Sequence, residues 1–363
     1  MGIFGLTTEE TPILVFPDNV EDLKFISALE TAKRIVPKLR PEVDVLIALT
    51  HLGFYEESGL GYKAAGDLRL AREVSGIDVI VGGHSHTALK EPKAIGKTLI
   101  VQAGEWSKWV GRLDLTIDSD EGGIVQHRYR LIPVNMKTRI KYQGKKYFVY
   151  QDRGVVEDRD ILQVINPYLK KADNALSAPV GEALVKLEGA RDIVRFRETN
   201  LANLITDSMR AKTGADIAFQ NAGGIRSDIA PGMITYRDIL TVHPFGNTLV
   251  LMDMTGEQIL DLLDRAAKIR PGQGAFLHAS GIRWTNNKGK VTDVIVGKSP
   301  IDRNETFRVV TNNFLAAGGD GYTLLKKIPH LDSGFVDADS LRDYINRAGK
   351  VRPKIEGRLI IIK

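Results

Sequence analysis

Val79-Ile80-Val81-Gly82-Gly83-His84-Ser85-His86 decides how this 363-residue chain is read. A short continuous apolar run is typical of a strand buried on both faces. Here it breaks at a Gly-Gly pair and delivers two histidines at its carboxyl end. Paired glycines let the chain turn tightly and clear side chains from a crowded site. Upstream, Val43, Val45, Leu46, Ile47, Ala48 and Leu49 form a second such run, with His51 just past its end. In open α/β sheets, ligand sites form outside the carboxyl ends of strands. Helical stretches from about Asn19 to Leu39 and from Lys63 to Val74 separate the runs. A short strand at Ile3–Leu6 precedes them, and another at Leu99–Gln102 leads into Ala103-Gly104-Glu105. Three imidazoles at adjacent strand ends suit a divalent transition metal. The plainer alternative for any one of them is a loop histidine with local hydrogen bonds. His127, His243, His278 and His330 lack this context, although His243, beside Phe245, is a candidate pocket residue.

Composition narrows the classes further. Hydrophobic residues make up 43% and charged residues 26%, as in ordinary globular chains and unlike disordered ones. The 35 Gly follow no period, so the chain is not collagen-like. No window approaches the length of apolar sequence that spans a membrane. The net charge of +5 arises from 50 Lys+Arg against 45 Asp+Glu, interspersed, so no nucleic-acid partner is expected. The absence of Cys excludes disulfides, thiolate catalysis and Cys-ligated zinc. Any metal is left to His, Asp, Glu, Asn or Gln. The opening Met1–Phe16 has no basic start before an apolar run and is not a secretory leader.

From about 108 to 150 the pattern changes to alternation (Trp109, Gly111, Leu113, Leu115, Ile117, then Arg128–Val134 and Lys146–Tyr150), which predicts antiparallel strands. Asp158–Ala175 reads as a helix interrupted by Pro167, a connector. A second unit begins near Ser177. Asn200–Lys212 is an amphipathic helix with Gly214 beyond it. Thr235-Tyr236-Arg237-Asp238 and Thr255-Gly256-Glu257-Gln258 read as capping boxes. Three segments of this unit carry chemistry: Arg195–Asn200, Asn221–Arg226 and Asn313–Tyr322. Arginine suits bidentate phosphate recognition. Glycines beside it permit close backbone approach to an anion. Phe245 and Phe314 offer faces to a flat base, and Asp320 offers an acceptor to ribose hydroxyls. The competing reading is core phenylalanines and solvated Arg-Glu pairs.

Taken together, these motifs resemble the 5'-nucleotidase family, which includes UDP-sugar hydrolases, over nearly the whole chain. Leu49-Thr50-His51, Gly82–His86 and Gln102-Ala103-Gly104 are similar to the later motifs of its calcineurin-like metallophosphoesterase domain. Arg195–Asn200, Asn221–Arg226, Pro244-Phe245-Gly246 and Asn313–Gly321 are similar to its C-terminal nucleotide-specificity domain. The resemblance implies an α/β (α+β) fold: a partial calcineurin-like β-sandwich flanked by helices over 1–150, a connector helix over 151–176, and an α+β 5'-nucleotidase C-terminal domain over 177–363. It implies that His51 and His84 ligate one metal of a two-metal site and His86 the other, the ions being Zn, Mn, Co or similar. It implies that Arg195 and Arg226 contact phosphate and that Asn221 and Gly224 lie near the base. Phe245 and Phe314 would sandwich the base, and Asp320 would hold the ribose. The expected substrates are nucleoside 5'-phosphates such as AMP. In the family, the two metals polarise the phosphoryl group and generate a hydroxide. The Asn-Phe-Leu-Ala form around Phe314 favours a 5'-nucleotidase over the related cyclic-nucleotide phosphodiesterases, in which Tyr is expected there; a UDP-sugar hydrolase stays an alternative. The family's setting implies a periplasmic, extracellular or wall-attached protein.

The family's first three motifs, Asp-x-His, Gly-Asp and Gly-Asn-His-Glu/Asp, do not precede Leu49-Thr50-His51, and no Asn-His pair exists anywhere. Those motifs carry the bridging Asp and the catalytic His. The expectation is therefore half a metal site, apolar sheet left exposed where the missing part would lie, and a chain inactive alone. A separate N-terminal half is one partner this allows. A binding module that holds nucleosides without hydrolysing them is the competing function, and an interaction protein using the exposed sheet is the third.

Overall fold

Four apolar runs pair side by side in parallel: β1 (Gly2–Thr7), β2 (Leu46–His51), β3 (Val79–Val81) and β5 (Thr98–Val101). β4 (Lys93–Ile95) joins antiparallel to β5, so the sheet order is β1-β2-β3-β5-β4. This computed structural model describes residues 1–15, 19–58, 63–118, 120 and 122–362. It divides into two units, Met1–Pro12 with Asp22–Leu162, and Ile13–Glu21 with Gln163–Lys363.

A one-turn α1 (Thr11–Leu14) lies where the chain passes between the two units, and the first unit holds α2 (Ala28–Leu39) and α3 (Asp67–Glu73). Ala28, Leu29, Ala32 and Val36 of α2, with Leu70 and Ala71 of α3, pack on Leu6, Leu46, Ala48, Ile80 and Ile100 of the sheet. Each large side chain so buried contributes about 1.5–3 kcal/mol. On the opposite face, Val79, Leu99 and Val101 meet Leu113 and Leu115 of β6 (Trp109–Ile117) and Ile124 and Tyr129 of β7 (Ile124–Pro133). The sheet is thus covered by helices on one side and, over its β3–β5 part only, by an antiparallel pair on the other, a partial sandwich. β8 (Lys137–Tyr142) and β9 (Lys145–Tyr150) form a separate antiparallel ribbon. The chain leaves this unit within α4 (Arg159–Leu176).

Two boundaries differ from the sequence reading. The first helix starts at Ala28 rather than near Asn19, because Ser27 caps it by accepting from the Glu30 N–H. Leu23 and Ile26, which set the apparent period upstream, are exposed and bury no face. β2 starts at Leu46 rather than Val43 and extends through His51. The Arg40 guanidinium donates to the carbonyls of Val43 and Asp44 and holds them outside the ladder.

The second unit contains three sheets. β10 (Pro179–Ala183) lies between β12 (Gly232–Thr235) and β20 (Lys350–Val351). The central sheet has the order β14-β11-β18-β13-β19, built from β11 (Ile217–Asn221), β13 (Thr248–Thr255), β14 (Leu277–Ser280), β18 (Thr306–Asn312) and β19 (His330–Val336). β15 (Ile282–Asn287), β16 (Lys290–Val296), β17 (Ser299–Pro300) and β21 (Leu359–Ile362) make the third. The helices are α5 (Arg191–Val194), α6 (Asn200–Thr213), α7 (Tyr236–Val242), α8 (Gly256–Ala267), α9 (Asn313–Ala316) and α10 (Asp337–Ala348). Thr199 caps α6, Gly214 ends it at φ 71, and both capping boxes form, on α7 and α8. Leu201, Leu204, Ile205 and Met209 of α6 pack with Leu341 and Ile345 of α10 in one core.

Candidate functional site

In the first unit, the carboxyl ends of β2 and β3 set the histidines. His51 closes β2, and its ring lies edge-on to that of His84, with centroids 5.0 Å apart. Gly83 makes this possible, since a Cβ there would come within 3.2 Å of His51 Nδ1. His84 and His86 both occupy the left-handed region, at φ 71 and 59, a strained choice typical of functional turns. Gln102 holds that turn. Its Nε2 donates to the Gly83 carbonyl at 2.6 Å, and its Oε1 accepts from Ser85 Oγ at 2.9 Å and from the Thr87 N–H. Beneath lies Asp67, fully buried, accepting from Thr50 Oγ1 at 2.6 Å. Burial lifts its carboxyl to about 7 against that hydrogen bond. His86 turns toward Glu105, with Nδ1 2.7 Å from Oε2, and toward the Trp106 ring.

The imidazole chemistry suits a divalent ion. Among the described residues, however, no three His, Asp, Glu or Cys side chains group closely enough to hold one. His51 and His84 come together while His86 pairs with Glu105. This is a partial ligand set, and no reaction step follows from it alone.

In the second unit, a polar network closes the carboxyl ends of β11 and β18. Asn221 Nδ2 donates to Asp320 Oδ2 at 2.7 Å, and Asn312 Nδ2 donates to Asn221 Oδ1 at 3.0 Å and to Gln220 Oε1 at 3.1 Å. Asp320 is buried and adopts φ 55 between Gly319 and Gly321. Burial raises its carboxyl to about 6, opposed by the Asn221 hydrogen bond and by the charges of Arg195 and Arg265. Arg195 is itself buried and hooks Gly272, whose N–H donates to the Arg195 carbonyl at 2.9 Å. His278 fixes the preceding residue, with Nε2 2.8 Å from the Val194 carbonyl, and burial lowers its pKa to about 4, so it stays neutral. A Cβ at Gly224 would meet Gln220 Nε2 at 2.3 Å, so a larger residue there would push the buried Gln220 amide out of the network. Arg226 donates to the Gly223 carbonyl, and its guanidinium lies 5.7 Å over the Phe245 ring. Phe245 is exposed; Phe314 is half-buried against Gly319, next to Asp320.

Asn221, Gly224, Asp320 and Arg195 therefore share one buried cluster, Arg226 and Phe245 form a second pair, and Phe314 adjoins the first through Gly319. The sequence reading did not single out Gln102 as a side chain, nor Asp67, Asn312, Gln220 or Arg265. For Asn312 a signal existed, a polar residue closing an apolar strand. For Asp67, opposite Thr50 across the turn, nothing in the linear pattern pointed to the contact.

Residues 179–327 match the family described as "5'-nucleotidase, C-terminal domain". The chain is 37% identical to a 5'-nucleotidase of Vibrio vulnificus, over 96% of this chain and 66% of that protein. It is 34% identical to Protein UshA of Escherichia coli, over 96% of this chain and 67% of that protein. A crystal structure of a 5'-nucleotidase precursor from Thermus thermophilus superimposes with a TM-score of 0.84 at 35% identity, covering 99% of this chain and 72% of that one. The two units thus define the mixed α/β fold of 5'-nucleotidases. The chain belongs to the 5'-nucleotidase family. It spans about two thirds of the Vibrio relative's length. Among the described residues no helix is long and apolar enough to cross a membrane.

Proposed function

We propose that this chain binds nucleoside 5'-phosphates through its second unit and supplies part of the site that hydrolyses them to nucleoside and phosphate. Arg195 and Arg226 take the phosphate charge, Asn221 and Gly224 border the base, Phe245 and Phe314 flank it, and Asp320 accepts from the ribose hydroxyls. His51, His84 and His86 are this chain's share of a two-divalent-metal site of the Zn, Mn or Co kind. The Asp-x-His and Asn-His motifs that complete the family's set are not in the sequence, so the chain alone holds nucleoside without turning substrate over. The observation that carries the reading is the buried Asn221–Asp320 hydrogen bond beside Arg195. Burying an unused carboxylate is costly, and a ligand that donates hydroxyls to it offsets that cost.

The experiment is phosphate release from AMP with Mn²⁺ and with a chelator, alongside adenosine calorimetry. Adenosine binding with no turnover is the expected pair of results. Metal-dependent turnover by the pure chain overturns the incomplete site, and absence of adenosine binding by folded protein overturns the nucleoside cluster.

A further inference from the structure

β8 and β9 form a ribbon, residues 137–150, whose fourteen positions hold five Lys or Arg and no Asp or Glu. The whole chain carries a net +5, so the remainder sums to zero. Alternation along two strands disguises this concentration in the linear sequence. Every described side chain of the ribbon is exposed, and none joins a hydrophobic cluster of either unit among the described residues.

Directly opposed residues share a face. One face carries Thr138 with Val149, Ile140 with Tyr147, and Tyr142 opposite position Lys145 at the turn end, the Tyr142 and Tyr147 rings 6.4 Å apart. The other carries Lys137 with Tyr150, Arg139 with Phe148, and Lys141 opposite position Lys146, with Lys137 Nζ 4.8 Å over the Tyr150 ring. Arg139 and Lys141 have no carboxylate partner among the described residues. An isolated two-stranded ribbon is at best marginally stable in water, so its apolar face is open to another surface.

We propose that this ribbon docks on an anionic lipid bilayer surface. An element with a mainly aliphatic and aromatic face and a face that mixes Lys137, Arg139 and Lys141 with Phe148 and Tyr150 lies in the interfacial plane, its more apolar side in the headgroup boundary. Tyrosines favour that depth, long basic stems reach lipid phosphates from the other face, and anionic headgroups attract each cation. A single-stranded nucleic acid would use the Lys137 face alone and leave Ile140, Tyr142, Tyr147 and Val149 in water.

The test is co-sedimentation of the full chain with phosphatidylcholine vesicles, with and without phosphatidylglycerol, beside a single-stranded oligonucleotide titration. Binding to the anionic vesicles only, weakening with added salt, is the expected result. Replacing Lys137→Gln, Arg139→Gln and Lys141→Gln together should lower partitioning about a hundredfold, since each cation near the surface is worth about a fivefold change. A Tyr147→Trp variant should shift its emission to the blue with anionic vesicles. Any one of three results overturns the proposal: no vesicle binding, binding that the triple variant leaves unchanged, or binding of the oligonucleotide alone.

Discussion

Asp320 gives the proposed nucleoside site a dependence on pH that can be tested. Its folded pKa of about 6 lies above the unfolded value, so the folded chain holds the proton more tightly. Its favourable contribution to stability is full below about pH 3.9 and is lost as the pH rises through about 6. On the proposed reading a ribose hydroxyl donates to the ionised form, and adenosine affinity should then rise through pH 6 and level off above it. Calorimetry across that range checks this, and a flat profile contradicts it. Asp320→Asn should flatten the profile and weaken binding about 10- to 100-fold, the worth of a hydrogen bond to a charged group. Phe314→Ala should cost about 1–3 kcal/mol of adenosine affinity if its ring stacks on the base; unchanged affinity removes it from the pocket. Gly82→Ala tests the first unit. The new Cβ would sit 2.3 Å from Oδ2 of Asp67, a fully buried carboxyl whose other oxygen, Oδ1, accepts from Thr50. A loss of about 1–3 kcal/mol in urea unfolding is expected. The glycines and histidines of these turns were legible because turn chemistry is local. Gln102 and Asp67 were not, because their partners lie 19 and 17 residues away in the chain, and linear spacing records no such contact.

At the scale of elements, helix ends were the most readable feature. Thr235 and Thr255 each accept from the N–H three residues on, and Asp238 and Gln258 return the bond. Thr255→Ala should cost about 1 kcal/mol of stability by removing the cap of α8. Thermal unfolding checks this, and Thr255→Ser should restore most of the loss. The start of α2 was misplaced for the opposite reason. Apolar residues at helical spacing continued past Ser27 into a segment that buries nothing, and periodicity alone does not distinguish a buried stripe from an exposed one. β8 escaped the reading because Lys137–Tyr142 alternates basic residues with Thr, Ile and Tyr, without the apolar run or strict polarity that marks a half-buried strand.

The whole molecule has two units with separate cores, and chains of that kind depart from a single two-state transition. Calorimetry should resolve two components. Adenosine at about a hundred times its dissociation constant should raise only the component of the second unit, by about 2.7 kcal/mol. A uniform shift of both would place nucleoside binding elsewhere. The fold class was readable at this scale because strand and helix periods alternate, while the pairing order β14-β11-β18-β13-β19 was not, since nothing local names a strand's neighbour.

The first unit's sheet has a further practical meaning. β1 is an edge strand, and Ile3, Leu49 and Val81 are 54%, 47% and 40% exposed. In a crowded cell, a bare strand beside uncovered aliphatic side chains is what chaperone holdases retain and proteases find. The yield of this polypeptide from an expression host should therefore follow chaperone supply and induction temperature more closely than its melting point.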